Sequence, residues 1–460
     1  MLRDQNDTIA AIATPLGEAG ISVIRLSGMK AIEITDRIFQ GKSSLQTVPS
    51  HSIHHGRIMH PAEGVVDEVL VSVFKRPHSY TGEDVVEISC HGSYYVANKI
   101  LETVIGLGVR QADPGEFTQR AFLNGKLDLM QAEAVADLIH SKTALAHRAS
   151  VDQLNGSLSR SILALRQKLI DLCSLVELEL DFAEEGIELT DHNRVEVFFD
   201  DTITELGRLV DSFNYGRIIR DGVKVVLAGC PNVGKSSLLN VLLKENRAIV
   251  SDIPGTTRDV IEEAILIDGI AFRLADTAGL RNTTDIIEQE GVRRSNSQMD
   301  GADLILLLID SSELLTADSH HIVADVLRRY GKRVLLVLNK SDILNENFSL
   351  NSFNKYDKIS ISCTNEVGID SLTRKMIQHI ITTCDPTSSS IRIQSERHRD
   401  LLKKTLNSVV AAKATFEGKL SGEFIAVDLR AALNYLGEII GITTPDDVLN
   451  NIFSRFCIGK

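Results

Sequence analysis

Lys224-Val-Val-Leu-Ala-Gly229-Cys-Pro-Asn-Val-Gly234-Lys235-Ser236-Ser237 is the stretch on which the fold turns. A short apolar run reads as a strand buried on both faces. The G-x-x-x-x-G-K-S that follows it opens a helical pattern starting near Ser237. Gly229 and Gly234 let the loop turn its backbone N–H groups toward phosphate oxygens at a helix N-terminus. In such a loop Lys235 reaches the β- and γ-phosphates and the Ser236 hydroxyl ligates Mg²⁺, with Asn232, Val233 and Ser237 lining the same turn.

Outward from this loop the chain alternates strand and helix. Leu304–Ile309 and Val334–Leu338 are further continuous apolar runs, and Ile359-Ser-Ile361 a short one, as a parallel sheet covered on both faces requires. Asp268-Gly269 reads as a tight turn between Ile265-Leu-Ile and Phe272-Arg-Leu, which adds an antiparallel pair. Asn339-Lys340-Ser341-Asp342 follows an apolar strand. There a carboxylate at Asp342 accepts two hydrogen bonds, from N1–H and the 2-amino group of guanine; adenine offers no such pair of donors. Ser362, Cys363 and Thr364 supply backbone N–H groups to the same base. Asp276-Thr277-Ala278-Gly279 places a carboxylate near the metal and a glycine N–H near the γ-phosphate. Between loop and sensor, Ser251-Asp252-Ile253-Pro254-Gly255-Thr256-Thr257 supplies a threonine hydroxyl for Mg²⁺. These elements in this order predict GTP binding. Leu280 stands where a Ras-type site has glutamine, so another group must orient the attacking water. Asp285, Glu288 and Glu290 follow in the same segment.

The rest of the chain sets the context. With 460 residues, several domains are expected, and a formal charge of −13 excludes a surface that coats nucleic acid or anionic membrane throughout. Six cysteines without a C-x-x-C pair, a charged N-terminus and aliphatic runs far shorter than a membrane span predict a cytoplasmic protein. No proline occurs between Pro114 and Pro231, which predicts a largely helical stretch. Its apolar stripes are Leu123, Leu127, Met130, Ala134 and Leu138, then Leu165, Leu169, Leu172, Leu175, Val176 and Leu180. Earlier, Ile21–Ile24, Val69–Phe74 and Val85–Ser89 are short β-rich runs. After Pro386, Leu401, Leu402, Leu406, Val409 and Val410 form one helical face. The expected fold class is α/β: a P-loop GTPase domain (218–384) inserted into an all-helical domain (119–217 and 385–460), behind a small α+β N-terminal domain (1–118).

The whole chain resembles the MnmE (TrmE) family of tRNA uridine-modifying GTPases. The G-domain words are shared with the ribosome-assembly proteins Era and Der, which leaves a ribosome-assembly GTPase as the alternative. The flanks carry the narrower likeness: Asp7-Thr-Ile-Ala, Ile24-Arg25-Leu-Ser-Gly, Thr81-Gly-Glu-Asp-Val-Val-Glu87, Pro114-Gly-Glu-Phe, Arg120-Ala-Phe-Leu-Asn-Gly-Lys126 and Phe456-Cys457-Ile-Gly-Lys460. The resemblance implies a homodimer joined through N-terminal domains that each hold a tetrahydrofolate derivative, 5-formyl or 5,10-methylene. It implies a partnership with the flavoprotein MnmG (GidA), and a carboxymethylaminomethyl or aminomethyl group added to C5 of the wobble uridine of certain tRNAs. It assigns folate contacts to Arg25, Glu87, Lys126 and Lys460, and leaves Cys457 as a candidate beside that chemistry, against a small buried thiol. It implies K⁺ held by Asn232, Ser251, Ile253 and Thr256, Mg²⁺ on Ser236 and Thr257, and Glu288 orienting the catalytic water.

Other clusters read more plainly. His51, His54, His55 and His60 are expected to be solvated, and Cys90 and His91, as strand neighbours, to face opposite ways. Arg392, Arg397, Arg399, Lys403, Lys404 and Lys413 form a basic run, either a phosphate-contacting face for tRNA or a polar helix face packed along its stems.

Overall fold

The computed structural model describes residues 7–15, 17–182, 192–246, 263–276, 297–346, 348, 353–383, 393–418 and 421–460. The chain forms two compact units: residues 1–139, 151–202 and 404–460 make one, and residues 140–150 and 203–403 the other.

In the first unit, alternating side chains build a seven-stranded sheet. Its strands are β1 (Ile9–Ile12), β2 (Ala19–Ser27), β3 (Phe39–Gly41), β4 (Ser52–His60), β5 (Gly64–Phe74), β6 (Val85–Gly92) and β7 (Arg110–Gln111), in the order β3-β4-β5-β6-β2-β1-β7. Val69, Val71 and Val73 of β5 point into a core shared with α1 (Ala31–Ile38) and α2 (Tyr94–Ile105), whereas Leu70 between them is exposed. The β-rich run at Val69–Phe74 is thus the second half of an eleven-residue strand. As expected for strand neighbours, Cys90 is buried and His91 exposed. On the opposite face, Ile9 and Ala11 pack against Ala112 and Phe117.

An ion network built around the buried Arg120 and Glu116 ties the end of this sheet together. Arg120 donates to Asp7, to Glu83 at 3.3 Å and to Glu116 at 3.1 Å, and Arg110 donates to Asp7 at 2.7 Å and to Glu116. Burial pushes the Asp7 and Glu116 carboxyls up. Hydrogen bonds from both arginines outweigh this at Asp7, and at Glu116 bonds from Arg110 and the Asp113 N–H, with the charges of both arginines, do the same, so both carboxyls lie below the usual carboxylate range.

Among the described residues helices follow without a strand, as the missing prolines predict: α3 (Glu116–Leu123), α4 (Leu129–His140), α5 (Ala144–Leu154), α6 (Ser157–Phe182), α7 (His192–Asp211) and α8 (Phe213–Asp221). The first stripe is not one helix, because the chain breaks between α3 and α4 through Gly125, at φ +67°. In the second, Leu165, Leu169, Leu172 and Val176 are buried, but Leu175 is exposed, one step off the buried stripe.

The second unit holds β8 (Val223–Ala228), α9 (Lys235–Asn246), β9 (Glu263–Ile267), β10 (Ile270–Asp276), β11 (Leu304–Asp310), α10 (Ala317–Tyr330), β12 (Val334–Asn339), β13 (Lys358–Ser360) and α11 (Ile369–Thr383). The strand order is β13-β12-β11-β8-β10-β9, parallel apart from the β9–β10 hairpin, whose turn residues Asp268 and Gly269 both have positive φ. The apolar runs are buried on both faces. Val225, Leu227, Leu306 and Leu308 enter one core, while Val226, Ile305 and Leu307 enter the other. Helix α9 starts at Lys235, two residues before the expected position, so Lys235 and Ser236 stand in its first turn.

Past this unit the chain continues into α12 (Glu396–Glu417), α13 (Gly422–Ile440) and α14 (Asp446–Phe453). Helix α13 packs on α6, so segments before and after the intervening unit close one helical core. Leu401, Leu402 and Val409 are buried as expected, but Val410 is exposed. Among the described residues no helix is long and apolar enough to cross a membrane.

Candidate functional site

The loop after β8 lies at the carboxyl end of the sheet, where the strand order reverses around β8 and open α/β sheets receive ligands. Lys235 is buried, and its Nζ donates to the carbonyls of Gly229 and Cys230 at 2.8 Å each, so the ammonium is held inside the curve of the loop. Ser236 and Ser237 are exposed at the start of α9, and Asn232 is exposed with φ +63°. Their hydroxyls and amide face solvent at a helix N-terminus, where the dipole favours an anion.

The loop after β12 is tied to the loop after β8 through one side chain. Asn339 is buried; its Nδ2 donates to the Val233 carbonyl at 2.9 Å and its Oδ1 accepts from the Cys363 N–H at 3.2 Å. Gly234 leaves room for it. With φ +99°, a Cβ there would lie 2.2 Å from Asn339 Nδ2. Asp342 is exposed, in a short 3₁₀ turn. Burial pushes the Cys363 thiol up to about 11; a hydrogen bond from Asn339 opposes this and the Asp342 charge adds to it. Cys363 is therefore a neutral thiol at neutral pH, and Ser362 beside it is buried while Thr364 is exposed. The structure brings Asn232–Ser237, Asn339–Asp342 and Ser362–Thr364 to one end of one sheet. Ser251, Asp252, Ile253, Pro254, Gly255, Thr256, Thr257, Thr277, Ala278, Gly279 and Glu288 lie outside the described residues; Asp276 closes β10.

A second polar cluster stands in the first unit. Arg25 and Glu87 are register partners across β2 and β6, and the Arg25 guanidinium donates to Glu87 at 2.9 Å. Its Nη1 donates to the Gly459 carbonyl at 3.3 Å, which brings the end of the chain to the sheet. The guanidinium sits over the rings of Tyr80 and Phe117, 5.4 and 5.7 Å from their centroids. Lys460 is half-buried; burial and then the Arg25 charge push its ammonium below the usual lysine range, against the pull of Glu87. Lys126 is engaged elsewhere, its Nζ donating to the Pro77 carbonyl at 3.2 Å. Cys457 is exposed, which corrects the reading of a small buried thiol: the turn after α14 points it outward while Phe456 enters the core.

Two family models cover the chain: the TrmE N-terminus over residues 8–126 and the MnmE helical domain over residues 129–457. The tRNA modification GTPases MnmE of Flavobacterium johnsoniae and of Carboxydothermus hydrogenoformans are each 43% identical to this chain, over 99% of both partners in each comparison. The Bacteroides thetaiotaomicron protein of the same name is 44% identical over the same shares.

The chain belongs to the MnmE family.

With that membership the chain is a GTP-binding, GTP-hydrolysing enzyme of tRNA modification, and the ribosome-assembly alternative falls away. Among solved structures, the G domain of the T. maritima FeoB iron transporter matches 34% of this chain and 98% of its own at 28% identity, with a TM-score of 0.26.

Two kinds of residue escaped the sequence reading. Tyr80 and Phe117 flank Arg25 although they lie in separate motifs, and only the fold joins them. Asp310 ends the central strand β11 and pairs with Lys340. Its position at the carboxyl end of a parallel strand was the available signal. The basic run at 392–413 is largely committed among its described members. Arg399 pairs with Asp400 and lies over Phe213, Lys404 lies over Tyr435, and Lys413 pairs with Asp200 and Glu417. That favours stems packed along a helix over a free phosphate-binding face.

Proposed function

We propose that this MnmE-family chain acts in the cytoplasm as a homodimer and, with the flavoprotein MnmG, adds a carboxymethylaminomethyl or aminomethyl group to C5 of the wobble uridine of certain tRNAs. The work divides among an N-terminal folate and dimerisation domain (1–118), a helical domain (119–217 and 385–460) and a G domain (218–384). The observation that carries the synthetic half is the convergence of Arg25, Glu87 and Lys460 beside two aromatic rings, from opposite ends of the chain.

This cluster fits a tetrahydrofolate derivative. Arg25 and Lys460 offer excess positive charge to a carboxylate, Glu87 can accept from the donor edge of a pterin, and Tyr80 and Phe117 shield the Arg25 side from water. Lys126 reaches the same ligand only by leaving Pro77. The bound folate supplies the one-carbon unit. In the G domain, Lys235 and the loop from Asn232 to Ser237 hold the phosphates, and Asp342 with Ser362–Thr364 holds guanine. Exposed oxygen donors at Ser236 and Asn232 fit Mg²⁺ and K⁺ respectively, with Thr257 completing the first set and Ser251, Ile253 and Thr256 the second. K⁺ supplies positive charge beside the phosphates in place of an arginine, and Glu288 orients the attacking water.

Equilibrium dialysis of the full chain with 5-formyl-tetrahydrofolate is expected to show saturable binding that weakens about ten-fold or more in R25A and E87A. Replacing K⁺ by Na⁺ is expected to lower GTP turnover by about ten-fold or more, and E288A to do the same in K⁺. Absence of saturable folate binding would contradict the first half of the proposal. Turnover indifferent to the cation would contradict the second.

A further inference from the structure

Strands β11 and β12 run in parallel register with Asp310 opposite Asn339, so each strand delivers its next residues to the same rim. Lys340 then enters the left-handed region at φ +63°, a conformation a lysine keeps only when its surroundings over-determine it. Those surroundings come from β11. The Lys340 Nζ meets Asp310 Oδ2 at 2.5 Å, with the carboxylate mostly shielded from solvent. The other oxygen of Asp310 accepts from the N–H of Ser312 at 2.9 Å and from its hydroxyl at 2.5 Å, which fixes the carboxylate's rotation. Ser311 N–H and Oγ both donate to the Asn339 carbonyl, at 3.0 and 2.7 Å, and the Ser311 carbonyl accepts from Asn345 N–H at 3.0 Å. The loop from Asn339 to Asn345, which carries Asp342, is thus held at both ends by Ser311 and at Lys340 by Asp310, with the Ile361 carbonyl accepting from Ser341 N–H at 3.1 Å.

We propose that Asp310 is a positioning residue for the guanine nucleotide: by anchoring Lys340 it pre-orders the Asn339–Asp342 loop before the base arrives. Burial pushes the Asp310 carboxyl up, but bonds from Lys340 and Ser312 outweigh it, so the anchor is charged at neutral pH. A loop ordered in advance loses less freedom on binding, and the gain shows mainly as slower release. The inference rests on the reading that Asp342 receives guanine.

Release of a fluorescent GDP analogue from the full chain tests it in D310A, D310N, K340A and the D310A/K340A double variant. D310A is expected to release about ten-fold faster than the parent. D310N should fall between the two, because its amide oxygen still accepts hydrogen bonds but has lost the charge. The double variant should release no faster than K340A alone, since Asp310 acts through Lys340. In steady state, KM for GTP should rise by a larger factor than kcat falls in D310A, a split that general loosening of the sheet would not give. Release within two-fold of the parent in D310A, or a double variant showing the product of the single effects, would overturn the proposal. D342N is the companion arm. If it too leaves release unchanged, the guanine reading fails; if it accelerates release while D310A does not, only the positioning role fails.

Discussion

D342N is expected to lose GTP by about a thousand-fold and to accept xanthosine triphosphate in its place. Asp342 is exposed in the loop after β12, and under the proposed function its carboxylate accepts from two guanine donors at once. Hydrogen bonds to a charged acceptor contribute roughly 1.5–3 kcal/mol each; asparagine keeps only an uncharged acceptor for N1–H and loses the bond from the 2-amino group, which together correspond to about three decades in affinity. An asparagine also turns an NH₂ group toward guanine's own donors, which adds repulsion. Xanthine carries a 2-oxo group instead of the 2-amino group, so the same NH₂ regains a partner. Competition of GTP and XTP for the fluorescent-GDP complex measures the exchange. A D342N protein that still prefers GTP would remove Asp342 from the base site.

G234A is the second large effect. An alanine there must adopt φ +99° and must push its Cβ into Asn339, 2.2 Å from Nδ2. The backbone strain alone costs about 1–3 kcal/mol, and displacing Asn339 breaks its bonds to Val233 and Cys363, each contributing about 1 kcal/mol. The sum, about 3–5 kcal/mol, predicts a loss in GTP affinity by calorimetry of roughly a hundred-fold to a few thousand-fold. Because Asn339 joins the two loops, base discrimination should suffer along with phosphate binding, so the ratio of GTP to ITP affinity should narrow. Loss of affinity with an unchanged ratio would mean that the two loops respond independently.

How much of this was legible beforehand follows from what each signal depends on. The P-loop, the hairpin at Asp268-Gly269 and the doubly buried strands are local patterns, and each forms where the sequence places it. The insertion of one unit within another was legible from a change of texture, because helical stripes on both sides need a common partner. Leu175 and Val410 show the limit of that reasoning. Both follow the apolar spacing and both face solvent, since an isolated helix does not say how wide its covered stripe is. Long-range pairs were the least legible. Nothing local in Arg25 announces Gly459, Tyr80 or Phe117, and the partly buried set Asp7, Glu83, Arg110, Glu116 and Arg120 reads along the chain as ordinary charges. Asp310 is intermediate: its strand was expected, but its bond to Lys340 depends on the register of β11 against β12.

In the proposed function, GTP turnover at the Gly229–Ser236 loop is the power stroke of a tRNA modification. Nucleoside analysis of tRNA from cells lacking this chain, complemented with the parent or with D342N, tests that claim most directly. Loss of the C5 group from wobble uridine, restored by the parent and not by D342N, is the predicted result. Fully modified wobble uridine in the uncomplemented cells would contradict it.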